Sequence, residues 1–69
     1  MTEIVFLVEE DPSGGWTARA LGQSIFTQAN DLAELREMVR DAVRCHFPDA
    51  NDRPKVIRLH RVQDEVIAS

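Results

Sequence analysis

Cysteine is nearly missing from this sequence: Cys45 stands alone, so no intramolecular disulfide can brace the chain. Small domains outside the cell normally rely on such bridges, and a single thiol points instead to a reducing cytoplasm. Long apolar runs are also missing. The longest, Ile4 to Val8, falls far short of the roughly 20 residues that a membrane-spanning helix requires. The N-terminus offers no basic segment followed by an apolar stretch of signal-peptide length, so neither export nor a membrane is expected. Positive charge is scarce too, with 8 Lys and Arg against 12 Asp and Glu for a net −4. Such a chain repels phosphate overall, and nucleic acid could be held only by a local patch.

Catalytic signatures are absent from the sequence: it contains no GxGxxG, phosphate-binding loop, HExxH, CxxC or GxSxG. Gly14-Gly15 precedes no helix that could receive a phosphate, and reads as a hairpin turn. Cys45-His46 resembles a nucleophile and base, but neighbours on a helix point about 100° apart and cannot face one another. Cys45, His46, Asp49 and His60 match no closed zinc spacing. A non-enzymatic protein without metal or cofactor is expected.

What is present suits one small domain. Ile4-Val5-Phe6-Leu7-Val8 is β-branched and aromatic, and predicts a strand over about 3–9. Asp11-Pro12-Ser13-Gly14-Gly15 is a concentrated turn signal, after which strands follow over about 16–21 and 24–29, punctuated by Gly22. Asn30 or Asp31 can cap a helix, and Asp31 with Glu34 has capping-box spacing. The helix is predicted over about 31–47, with Leu32, Leu35, Met38, Val39, Ala42, Val43 and Phe47 on one arc and His46 half-buried within it. Pro48 ends it, because proline disfavours helical geometry in the residue before. A last strand is expected over about 55–62, and residues 63–69 either extend it or form a tail.

This β-β-β-α-β order gives an α+β fold with predicted sheet order 3-2-1-4 and the helix on one face. The first strand is apolar at every position from 4 to 8, as a central strand should be, and the helix returns the last strand parallel to it. One helix covers one face only. Val5 and Leu7 point away from it, so a second copy of the chain, as a homodimer or tetramer, is the expected cover, with an edge strand as the other contact.

Candidate contact residues follow from charge and size. Arg36, Arg40 and Arg44 repeat every four residues and form a stripe along the helix, partly balanced by Glu37 and Asp41. Arg58, His60 and Arg61 make a second, weaker basic cluster in the positively charged stretch 53–69. Trp16, the sole Trp, opens the second strand as core, oligomer contact or partner anchor, and Arg19 lies further along that strand.

Three segments resemble the HicB-like superfamily, whose founding members are antitoxins of HicA–HicB pairs. They are the acidic strand end Val8-Glu9-Glu10-Asp11, the Gly14-Gly15-Trp16-Thr17-Ala18 start of the second strand, and the helix opening Asn30-Asp31-Leu32-Ala33-Glu34-Leu35. The resemblance spans about residues 3–47 and implies a reduced ribonuclease-H-like fold, self-association and a HicA-like toxin as candidate partner. The family's Pro-Asp-Leu-Pro-Gly loop is shortened here to Leu21-Gly22, and the DNA-binding segment that antitoxins usually append has no counterpart in residues 1–69. Pro54 to His60 is similar to a segment of small stand-alone HicB-like proteins, some labelled 2-oxoacid dehydrogenase subunit, although this chain carries no cofactor motif for that activity.

Overall fold

A computed structural model describes residues 2–63 and 67–68. The elements are β1 (Glu3–Glu10), β2 (Trp16–Ala20), β3 (Phe26–Ala29), α1 (Leu32–His46) and β4 (Val56–Val62). They form one four-stranded sheet of order β3-β2-β1-β4. Strands β1, β2 and β3 pair antiparallel in sequence, and β4 returns parallel to β1 with Leu59 opposite Phe6. The α+β class and strand order read from the sequence are those of the molecule.

Local chemistry explains the connections. In the β1–β2 turn, Asp11 Oδ1 accepts hydrogen bonds from the Ser13 amide at 2.9 Å and the Ser13 hydroxyl at 2.7 Å. Those bonds hold the Asp11 carboxyl below the usual carboxylate range. Gly14 and Gly15 both have positive φ, which permits the sharp reversal. Asp31, not Asn30, caps the helix: its Oδ1 accepts from the Glu34 amide at 2.7 Å. At the other end, the Phe47 amide donates to the Val43 carbonyl, and Arg53 donates to the carbonyls of Phe47 and Pro48. That arginine ties the loop into β4 back onto the helix end.

The core lies between α1 and one sheet face. Ile4, Phe6 and Val8 of β1 meet Ala18 and Ala20 of β2, and Leu35, Val39 and Val43 of the helix close over them. Phe6, Val8, Leu35 and Val39 are almost entirely out of water, each contributing about 1.5–3 kcal/mol of transfer free energy. The helix lies closest to β3 and β2, where Ala18, Ala20 and Ala29 leave room for its backbone to approach. Over β4 the covering is thinner, and Ile57 and Leu59 are only half-buried.

Several expectations need correction. The third strand begins at Phe26 and not at 24: Ala20 donates its amide to the Ile25 carbonyl, which uses residues 21–25 as the turn. The remaining element boundaries shift by one residue. Met38 is 42% exposed, and His46 is exposed instead of half-buried. The buried helix stripe, Leu35, Val39 and Val43, is narrower than the arc expected, because these i, i+4 positions form one row facing the sheet. His46 turns outward, with Nε2 3.1 Å from Gln23 Oε1 and its ring edge-on to Phe47. The last strand stops at Val62, and the question of its extension falls partly on 64–66 and 69, outside the described residues.

Candidate partner-binding surfaces

Strand alternation sorts the candidate residues onto surfaces. Residues opposite one another in the ladders share a face, so Trp16, Ala18 and Ala20 lie with Phe6 on the helix side. Glu9, Leu7 and Val5 point to the other side, together with Thr17 and Arg19 of β2, Phe26 and Gln28 of β3, and Arg58, His60 and Val62 of β4. Among the described residues no element covers this second face. Val5 and Leu7 are half-buried at its centre, whereas Phe26 is 62% exposed and Leu21 47% exposed at its margins.

The charges on the open face are mixed. Arg58 donates through Nε and Nη2 to the two carboxylate oxygens of Glu3, at 3.0 and 3.3 Å. That contact lowers the Glu3 pKa and raises that of Arg58, chiefly through the hydrogen bonds. Among the described residues Arg19 and Glu9 form no ion pair, although they sit diagonally across β2 and β1.

A second surface lies at the hairpin end. Arg61 stands on the helix side, its guanidinium carbon 5.4 Å from the centre of the Trp16 ring. Glu10, Pro12 and Gln63 line a groove beside this pair. Trp16 is half-buried, packing against the core while part of its surface stays accessible. Among the described residues the adjoining strand β4 pairs only with β1, and its outer backbone edge is open.

The expected basic cluster on the last strand is therefore divided. Arg58 and His60 lie on the open face and Arg61 on the helix side, because successive strand residues alternate. Arg36, Arg40 and Arg44 are all exposed on the helix, as their spacing implied. Arg40 pairs with Glu37 at 3.0 Å and Arg44 reaches Asp41 at 4.0 Å, which offsets two of the three charges. Sequence reasoning did not single out Glu9, Leu21 or Phe26 as contact residues, and it grouped Arg61 with Arg58 and His60 instead of with Trp16. Only the strand register reveals that they share surfaces with the residues it did choose.

Cys45 is a free, exposed thiol beside an outward-facing histidine that bonds a glutamine. Among the described residues no group of three His, Cys, Asp or Glu side chains is placed to hold a metal ion. Nor is any described helix long and apolar enough to cross a membrane.

No protein-family model matches the chain, and no solved structure matches it. It is similar to a UPF0150 protein of Archaeoglobus fulgidus, 62% identical over 53 residues that make up 77% of this chain and 77% of that protein. A UPF0150 protein of Thermotoga maritima is 42% identical over 66 residues, covering 96% of this chain and 91% of its own length.

Proposed function

Since this chain belongs to the UPF0150 family, whose name carries no activity, we propose from its surfaces that it is a non-enzymatic protein-binding module of the HicB-like kind. It self-associates and engages a second protein, either as a toxin-neutralising antitoxin or as an orphan relative of one. A HicA-like toxin is the candidate partner. The one exposed, unpaired thiol suits a reducing cytoplasm.

The observation that carries this reading is the seven-residue edge strand β4, open along one side among the described residues, with the Trp16–Arg61 groove at its end. Edge strands accept an added strand through main-chain hydrogen bonds, and flanking side chains then select the partner. Trp and Arg are the residue types that most often anchor protein interfaces. The test is co-expression of the full chain with the product of a short, basic reading frame adjacent to its own. A stable complex that Arg61→Glu disrupts supports the reading. Failure to form a complex, or a complex indifferent to that reversal, refutes the assignment.

A second reading has one observation in its favour: three arginines exposed at four-residue intervals on one helix flank. A nucleic-acid contact there would weaken steeply with salt, through counterion release. The pairing of Arg40 with Glu37, and of Arg58 with Glu3, makes it the weaker of the two.

A further inference from the structure

The open sheet face is apolar at its centre, with Leu7 half-buried there and Leu21 and Val62 exposed around it. Among the described residues its charges reduce to one unpaired cation and one unpaired anion. Glu3 and Arg58 neutralise each other, leaving Arg19 on β2 and Glu9 on β1 without an ion pair among the described residues. Leu7 pairs with Arg19 and Glu9 with Thr17, so the two charges occupy opposite corners of one four-residue cell of the sheet. Directly opposite residues on neighbouring strands interact most strongly, and diagonal ones lie about 7–8 Å apart.

An unlike pair held apart on one surface is self-complementary. A two-fold axis in the plane of the interface, bisecting the line from Arg19 to Glu9, sets each against the other residue of a second copy. We infer that the open face binds a second copy of this chain through two reciprocal Arg19–Glu9 contacts. The inference deepens the self-association in the reading above and rests on that part of it.

The same axis satisfies the apolar residues. On an idealised sheet with strands about 4.8 Å apart and a rise of about 3.3 Å per residue, the axis passes close to Leu7 and brings it onto its own symmetry mate. It also sets Leu21 opposite Val62 of the second copy. The strands of the two sheets then cross steeply, in the orthogonal class of sheet packing. Leu7 and the Leu21–Val62 contacts supply apolar burial, while the charge pairs fix the rotation of one sheet on the other. Face-to-face packing leaves β4's outer backbone edge and the helix-side pair Trp16–Arg61 for a different protein, although Glu9 and Val62 at the rim of that groove are shared with the interface.

The test is sedimentation of the full chain over a concentration series, with Arg19→Glu and Glu9→Arg made separately. Each single reversal creates two like-charge contacts in a homodimer, and each is expected to weaken dimerisation about tenfold or more. Mixed in equal amounts, the two variants form a heterodimer in which both contacts are attractive again. Recovery of association on mixing, with unaltered thermal unfolding of the dissociated variants, supports the inference. A monomeric parent chain overturns it. So does a dimer indifferent to both reversals, which would be held elsewhere, or weakening by the single reversals without rescue on mixing. Capture of the second protein is read separately, through Arg61→Glu, so either claim can fail while the other stands.

Discussion

Two adjacent glycines in one turn offer a sharp test of how the hairpin is held. Both have positive φ, +104° at Gly14 and +86° at Gly15, so alanine at either position meets the backbone penalty of about 1–2 kcal/mol for an L-residue. The loss of unfolded-state freedom returns about 0.4–1 kcal/mol of this, leaving roughly 1 kcal/mol for Gly14→Ala, whose new Cβ meets nothing within 4 Å. At Gly15 the new Cβ would stand 2.8 Å from the Ala29 carbonyl oxygen. That oxygen is backbone, at the end of β3 and two residues before the helix cap, so it cannot swing aside as a flexible side chain would. Forcing it away adds about 1–3 kcal/mol, the usual cost of overpacking. For a domain this size each kcal/mol moves Tm by about 4–8 °C, which predicts a fall of about 10–25 °C for Gly15→Ala and roughly 5 °C for Gly14→Ala. A domain of this length has only about 3–10 kcal/mol in total, so the larger loss approaches its limit. Thermal unfolding followed by circular dichroism decides the matter. Equal losses at the two positions would refute the close packing of the turn against β3.

Thr27 is buried with no partner for its hydroxyl among the described residues, so Thr27→Val is expected to stabilise the chain by about 1 kcal/mol in urea unfolding; a loss would mean that the hydroxyl is satisfied. Asp31→Ala removes the helix cap and should cost about 1 kcal/mol, whereas Asn30→Ala, one residue earlier, should cost little by the same measurement. The folded-state pKa values of Glu3 and Asp11 are both depressed, the first by hydrogen bonds from Arg58 and the second by those from Ser13. The unfolded chain therefore binds more protons, and their stabilisation is present above the ordinary carboxylate range and lost as pH falls through the lower folded values. Glu3→Gln and Asp11→Asn should each flatten the acid limb of a stability-against-pH curve; an unchanged limb in both variants would contradict the assigned bonds.

The fold was legible where one physical signal dominated. Five consecutive apolar residues in β1 imply a central strand, and β1 does lie between β2 and β4. The turn at 11–15 and the stop at Pro48 follow from residues with fixed backbone preferences. The start of β3 was less legible because Ile25 is buried yet lies outside the strand, its carbonyl taken by the Ala20 amide. An apolar residue in a turn looks like a strand residue in sequence. Met38 and His46 were assigned to the helix's buried side because periodicity records hydrophobicity and angle, not the width of the surface that meets the helix.

Surfaces posed a different problem, since they are assembled from strands whose relative register the sequence leaves open. Arg58, His60 and Arg61 form one cluster along the chain but two faces in the sheet, and a shift of one residue in β4 would exchange those faces. Conversely, Arg19 and Glu9 lie ten positions apart and become diagonal neighbours only because Leu7 pairs with Arg19. The turn enforces that pairing. Asp11 donates its amide to the Gly15 carbonyl and accepts from the Gly14 amide, closing the hairpin so that Glu10 faces Trp16 and every later pair follows. A longer or slipped turn would carry Leu7 to the helix side and Phe6 out of it, removing the core and the open face together. The short glycine turn thus sets the geometry of association as well as that of folding. Substitutions at 14 and 15 should therefore weaken self-association only to the extent that they destabilise the hairpin, while reversals at 9 and 19 should weaken it with the hairpin intact.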